Sequence, residues 1–300
     1  MEEAREWQVV ELLKTTTDFF LTRAVDEARI SAELLLGHVL ALGRLELYLH
    51  HNRPVFPDEL ERFRGLCRQR LEGRPVQYIL GEQWFYGLSF SVDERVLIPR
   101  PETELLVEHA LASLGFSSRG GSGPAKVLDI GTGSGCIAVT LARLCGELEA
   151  TALDISPAAI ELAERNAQRQ GVASRVKFLQ ADMLEGNLAS LLEEYAFELI
   201  LSNPPYIPEA EWEGLQREVK QYEPKGALTT PLGLECYEAI AAQAGGLLKS
   251  GGRLSMELHA DGAAAVTEIM TRHGFSSVEV SKDYSGHDRV ITGTLADRNL

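Results

Sequence analysis

The chain has 300 residues, with 29 Lys and Arg against 44 Asp and Glu and a formal net charge of −15. Its length is enough to bury a sizeable core, in one large domain plus a smaller one or in two domains. The acidic balance argues against a protein that takes its main affinity from nucleic-acid phosphates, which requires clustered Lys and Arg, and is compatible with a basic protein partner.

No apolar run approaches the roughly 18 residues of a membrane span, and Met1-Glu2-Glu3-Ala4-Arg5-Glu6 lacks the basic start and apolar core of a signal peptide, so a cytoplasmic protein is expected. The first seventy-odd residues read as short amphipathic helices. Trp7, Val10 and Leu13 followed by Phe19-Phe20-Leu21 mark one, and Asp26 is expected to cap a second in which Ile30, Leu34, Leu35 and Val39 recur at helical spacing. Asp58 opens a third carrying Leu60, Phe63, Leu66 and Leu71. This region holds no catalytic constellation. His50 and His51 lie near a loop with no carboxylate or Cys partner and read as surface or structural residues.

At Pro75 the pattern changes to aromatic and β-branched residues punctuated by glycine. The runs Tyr78-Ile79-Leu80-Gly81, Trp84-Phe85-Tyr86-Gly87-Leu88 and 90–98 suggest two strands joined near Gly87. Ile98-Pro99-Arg100-Pro101-Glu102-Thr103-Glu104 follows, extended by its prolines, with Glu102 or Thr103 as candidate cap of a helix through Leu105, Leu106, Val107 and Ala110. Residues 115–123, rich in Gly and Ser, form a flexible surface loop by composition.

From Lys126 onward strands and helices alternate. Val127-Leu128-Asp129-Ile130, 150–155, 176–179, 197–201 and 253–258 read as strands; helices are expected from Cys136, from the cap Ser156-Pro157 and over 234–248. A helix at about 263–272 and an antiparallel pair through Val278-Glu279-Val280 and Val290-Ile291-Thr292 complete the chain. Such alternation makes an α/β fold: a mostly parallel, Rossmann-like sheet with helices on both faces and ligands beyond the strands' carboxyl ends. The expected organisation is a helical domain over 1–75, a β-rich connector over 76–98 and the α/β domain over 99–300. The four cysteines, Cys67, Cys136, Cys145 and Cys236, form no C-x-x-C and have no His at ligand spacing, so neither a zinc site nor a disulfide framework is indicated.

The chemistry lies at successive strand ends. Asp129-Ile130-Gly131-Thr132-Gly133-Ser134-Gly135 can turn tightly, bring backbone against a ligand and admit the following helix close to the sheet. A dinucleotide fingerprint would require glycine where Cys136 stands. Asp154, ending the second strand, can accept from both ribose hydroxyls of a nucleoside. Asp182, ending the third, can accept from an adenine amino group with Met183 against the ring. The loop has no basic residue for phosphate, so a phosphate-free nucleoside with a cationic sulfur, S-adenosylmethionine, fits better than a nicotinamide cofactor. The fourth strand empties into Asn203-Pro204-Pro205-Tyr206, whose prolines can neither extend a ladder nor admit a helix before them. An extended loop there presents the Asn203 side chain and the Pro204 carbonyl as acceptors beside the Tyr206 ring, a socket for a planar –NH2. Read as chemistry rather than as a strand terminator, it holds a weakly nucleophilic amide or aromatic amine roughly 3–3.5 Å from a methyl donor.

Asp129-Ile130-Gly131-Thr132-Gly133-Ser134-Gly135 together with Asn203-Pro204-Pro205-Tyr206 resembles the class I methyltransferases that modify planar nitrogens, among them DNA adenine-N6 and protein-glutamine enzymes. Arg74-Pro75-Val76-Gln77-Tyr78-Ile79-Leu80-Gly81, Val96-Leu97-Ile98-Pro99-Arg100-Pro101-Glu102-Thr103-Glu104, Tyr222-Glu223-Pro224 and Gly286-His287-Asp288-Arg289-Val290 narrow the resemblance to the HemK/PrmC family. The resemblance covers nearly the whole chain, including Ala32-Glu33-Leu34-Leu35-Leu36. It implies a seven-stranded sheet and methylation of the glutamine N5 in the Gly-Gly-Gln motif of class 1 peptide chain release factors. It also implies a cofactor pocket lined by Gly131, Thr132, Gly133, Ser134, Gly135, Asp154, Asp182, Met183 and Asn203. The glutamine would be held by Asn203, Pro204, Pro205 and Tyr206 and walled by Pro101 and Thr103, with the N-terminal helices docking the release factor. Thr229-Thr230 stands where the family usually has an acidic or glycine pair, and Trp84 where Glu is common. Trp84-Phe85 and 92–97 are also similar to the sister enzyme that methylates a large-subunit ribosomal protein.

Overall fold

The computed structural model describes residues 6–115, 125–192 and 196–296, so the loop expected at 115–123 lies, beyond Gly115, outside the described residues. The chain divides into two compact units, Met1–Glu82 with Gln216–Tyr222 and Gln83–Leu215 with Glu223–Leu300. No helix among the described residues is long and apolar enough to cross a membrane.

The first unit is helical: Val9–Thr22, Ala28–Leu40, Arg44–Leu49, Pro57–Leu71 and Val76–Leu80. Their apolar faces close a core around Phe20, Leu35, Leu36, Leu47 and Phe63. Asp26 does not cap the second helix; Glu27 precedes it in the left-handed region (φ 49°), and Asp26 instead gives its carbonyl to the Arg70 guanidinium at 3.1 Å. Buried Arg70 also donates to Ser31 Oγ at 3.2 Å and to the Arg74 carbonyl at 3.1 Å, and pairs with Glu218 at 2.6 Å. Filling its donors in this way makes an internal guanidinium tolerable. Pro57 sits in the first turn of its helix, and Glu59 rather than Asp58 accepts from the Phe56 amide at 2.9 Å.

Tyr78-Ile79-Leu80 is helical, although its composition suggests a strand. A short apolar run does not distinguish the two states, and Pro75 suits a helix entrance because its missing N–H would have no intrahelical partner. The helical unit consequently runs through Glu82 instead of closing at 75. The expected hairpin is present as Glu82–Phe85 and Leu88–Ser91, turned by Tyr86 (φ 50°) and Gly87 (φ 74°), the paired positive angles of a tight hairpin.

In the second unit a seven-stranded sheet comprises β1 (Lys126–Ile130), β2 (Glu149–Asp154), β3 (Val176–Gln180), β4 (Phe197–Ser202), β5 (Leu248–Glu257), β6 (Phe275–Lys282) and β7 (Asp288–Leu295). The spatial order is β6-β7-β5-β4-β1-β2-β3, parallel except for β7, which runs antiparallel to both its neighbours. Successive residues face opposite layers, as strand geometry requires. Val127, Leu199 and Leu201 pack with the helices Glu104–Ser113, Cys136–Leu144 and Pro157–Arg169. Leu128, Ile200 and Met256 pack with Glu235–Leu247 and Ala263–Arg272. The chain runs outward from β1 through β2 and β3, then returns to the other side of β1 as β4. The strand order therefore reverses between β1 and β4, where open α/β sheets place ligands.

Candidate active site

Register brings the functional strand ends together at this reversal. Ile130 lies opposite both Leu153 and Ser202, and Met256 lies opposite Ser202. The Ser202 hydroxyl donates to the Ile130 carbonyl at 2.7 Å, pinning the start of 203–206 beside the start of the glycine loop. Gly131 has φ 76°, and a Cβ there would stand 3.6 Å from Met183 Cε and 4.0 Å from the Asn203 carbonyl oxygen. Those distances are ordinary contact; it is the left-handed backbone that favours glycine here, where three strand ends converge.

Around that cradle the side chains present acceptors. Buried Thr132 donates to Asp129 Oδ2 at 2.7 Å, which also accepts from the Ala138 amide at 3.3 Å. Asp129 Oδ1, fully buried, has no hydrogen-bond partner among the described residues. Asp154 accepts from the Gly133 amide at 2.8 Å and the Ser156 amide at 2.9 Å, while Ser156 Oγ caps the next helix through the Ala159 amide at 3.2 Å. Its carboxylate is thereby aimed at the glycine loop and keeps lone pairs for further donors. The Ser134 carbonyl accepts from wholly buried Asn166 at 2.9 Å, and a methyl at Gly135 would lie 3.1 Å from Ala163 Cβ, so the loop is clamped against the helix Pro157–Arg169. Asp182 accepts from the Leu184 amide at 2.8 Å, and the Met183 carbonyl accepts from Gln243 at 2.7 Å. Half-buried acceptors at Asp154 and Asp182, a glycine cradle and a loop without Lys or Arg fit a phosphate-free nucleoside bearing a cation.

Burial pushes the Asp129 carboxyl up to about 7, opposed by the bonds from Thr132 and Ala138. The folded state therefore binds a proton here that the unfolded chain has released above about 3.8, the ordinary value for an aspartate, and this stabilisation is lost as pH rises through about 7. Lowering the pH from about 8 to about 6 should raise the melting temperature of the wild type relative to Asp129→Asn, by the equivalent of about 1 kcal/mol. Parallel thermal melts of the two proteins check this.

The acceptor side contains a group not singled out by sequence, Glu257. Thr103 makes no capping hydrogen bond; it is buried, and its hydroxyl donates to Glu257 Oε2 at 2.6 Å while accepting from Asn203 Nδ2 at 3.2 Å. Tyr206 donates to Glu257 Oε1 at 3.1 Å, and its ring meets His259 edge-on at 6.0 Å. Glu257 is 1% exposed, and burial pushes its carboxyl up. The available signal was a charge flanked by apolar residues, Met256 and Leu258, at the carboxyl end of a strand beside β4. Among the described residues neither Asn203 Oδ1 nor the Pro204 carbonyl receives a hydrogen bond. Pro204 is buried and Pro205 half-buried. Pro101 is exposed and borders a separate cavity of about 250 Å3 with Glu102, Glu108 and Tyr284.

Two supports lie outside this cluster. Glu223 accepts from the Ile98 amide at 3.1 Å and pairs with Arg100, which fixes the proline-rich approach to Thr103. Gly233 has φ 80°, and a Cβ there would fall 2.7 Å from the Tyr206 carbonyl oxygen and 3.1 Å from the Pro208 ring. Gly233→Ala should therefore displace Tyr206, lowering kcat by about tenfold to a hundredfold and reducing stability. Steady-state turnover and a thermal melt of that variant provide the check.

The sheet order, the glycine cradle and the acceptor loop define a class I methyltransferase of the S-adenosylmethionine-dependent type. The family described as Methyltransferase domain matches residues 122–284, and PrmC N-terminal domain matches residues 11–81. A human methyltransferase 10 domain containing protein shares the fold at TM-score 0.51 and 16% identity, over 71% of this chain and 90% of that one. A release factor glutamine methyltransferase from Chlorobaculum tepidum is 54% identical over 97% of this chain and 99% of its own length. One from Geobacter sulfurreducens is 41% identical over 98% and 99%. The chain belongs to the release factor glutamine methyltransferase family.

Proposed function

We propose that the protein transfers the methyl group of S-adenosylmethionine to the side-chain amide nitrogen, N5, of the glutamine in the Gly-Gly-Gln motif of class 1 peptide chain release factors. The observation that carries this reading is the orientation of Asn203. Its NH2 is turned to Thr103, which leaves Oδ1, with the Pro204 carbonyl, to accept the two N–H groups of a planar primary amide. As that nitrogen pyramidalises and becomes positive its N–H groups turn more acidic, so both acceptors hold the transition state more strongly than the ground state. Tyr206 and Pro205 would flank the amide plane, while Thr103, buried behind Asn203, acts through that side chain. The methylated nitrogen is acidic enough to lose its proton afterwards, so no general base is required before transfer.

S-Adenosylmethionine supplies an electrophilic methyl on a sulfonium when bound. The loop Gly131-Thr132-Gly133-Ser134-Gly135 would line its site, Asp154 would accept from the ribose hydroxyls and Asp182 from the adenine amino group. Met183 would lie against the ring, and Asn203 stands beside the same cradle. Residues 1–75 would dock the release factor, a reading supported by the PrmC N-terminal match and by the separate core of the helical unit.

The decisive experiment offers labelled S-adenosylmethionine with purified release factor, large-subunit ribosomal protein and duplex DNA in parallel reactions. Label is expected in the release factor alone and should vanish when the acceptor glutamine is replaced. Label in the ribosomal protein or the DNA instead would overturn the substrate assignment.

A further inference from the structure

We propose that Glu257 is a positioning residue for methyl transfer, setting through Thr103 which face of the Asn203 carboxamide meets the acceptor and, through a direct hydrogen bond, where the Tyr206 ring stands. This rests on the reading of Asn203 and Tyr206 as the holders of the acceptor amide.

The geometry is directional. An ionised carboxylate can only accept, and a threonine hydroxyl has one proton. With that proton given to Glu257 Oε2 at 2.6 Å, Thr103 can only accept from Asn203, at 3.2 Å. Asn203 is thereby committed to offering NH2 to the protein and Oδ1 to the pocket. The second oxygen, Oε1, takes the Tyr206 hydroxyl at 3.1 Å. Both carboxylate oxygens are thus engaged by side chains of the acceptor site, although Leu254 and Met256 before it on β5 and Leu258 just after β5 are wholly buried and apolar.

The backbone of Glu257 is anchored separately, its carbonyl accepting from Tyr237 at 2.8 Å. Titratable and charged groups facing the carboxyl are Arg289 from β7, Glu102, Tyr206, Tyr237 and Cys136. Arg289 is itself paired with Asp283 at 3.1 Å. Protonation of Glu257 would let it donate to Thr103, reverse the chain and turn the Asn203 NH2 toward the acceptor, where two donors would meet.

The test compares Glu257→Gln, Glu257→Asp, Thr103→Val and the Gln/Val double variant in steady-state turnover, with cofactor affinity by calorimetry. Glu257→Gln and Thr103→Val should each lower kcat by about tenfold to a hundredfold and leave cofactor affinity within a few-fold. The double variant should be no worse than the poorer single one, because both break one chain, and Glu257→Asp should recover part of the rate. In the wild type kcat should fall on the acid side at a pH above the ordinary carboxylate range, and that limb should be missing in Glu257→Gln. Turnover of Glu257→Gln within twofold of wild type, losses that multiply in the double variant, or a loss confined to cofactor affinity would each overturn the proposal. Should Glu257→Gln not fold, normal turnover of Thr103→Val overturns it as well. Normal turnover of Asn203→Ala would remove the underlying acceptor reading, whereas an impaired Asn203→Ala beside an unimpaired Glu257→Gln removes the role of Glu257 alone.

Discussion

Asn203→Ala is expected to lower kcat by about 10²–10³ while S-adenosylmethionine affinity stays within a few-fold, the usual loss for one hydrogen bond that matters mainly in the transition state. The substitution removes Oδ1 from the acceptor pair and leaves the Pro204 carbonyl to orient the amide alone. It also leaves the Thr103 hydroxyl bonded to Glu257, so the surrounding polar cluster keeps its other contacts. Single-turnover kinetics separate this from a binding defect, because the chemical step itself should slow. Turnover at the wild-type rate would refute the assigned role.

Asp154→Ala is expected to act on the opposite half of the site, weakening S-adenosylmethionine binding by about 10²-fold, as the loss of a charge-assisted acceptor for hydroxyl donors implies. Part of that loss is indirect. The carboxylate also holds the Gly133 amide at 2.8 Å and the Ser156 amide at 2.9 Å, so the variant frees the glycine loop as well as losing the ribose contact. Asp154→Asn keeps one acceptor oxygen and should lose less, which orders the series wild type, Asn, Ala in affinity. Calorimetric titration measures it, and equal affinities across the three proteins would reject the ribose assignment.

The order of strands and helices from Lys126 onward was legible because the central strands β1, β2 and β4 are short apolar runs buried on both faces and the turns between elements carry a glycine, a cap or a proline. The positions of the glycine loop, Asp154, Asp182 and 203–206 at strand ends were legible for a related reason: the ends of parallel strands, where such sheets place ligands, can be counted in sequence. Local pattern failed where a residue's partner is remote. Thr103 satisfies every local criterion for a helix cap, yet its hydroxyl is taken by Glu257, 154 positions away. Glu257 looks like one polar residue in a strand until β5 is laid beside β4. Tyr78-Ile79-Leu80 carries a strand composition that packing in the helical unit overrides. The pairing of Ile207–Pro208 with Thr229–Thr230 has no periodic signature at all, because two residues are too few to show one.

That short pairing has a consequence for how this enzyme can diversify. Ile207 lies opposite Thr229 and Pro208 opposite Thr230, in parallel, so the chain departs just after Tyr206 and comes back alongside its point of departure. An excursion whose two ends are already stapled together can lengthen or shorten at little entropic cost, since closure grows only with the logarithm of length. Residues 209–228 can therefore change length with the end of the acceptor loop held in place, so long as Glu218 keeps Arg70 and Glu223 keeps the Ile98 amide and Arg100.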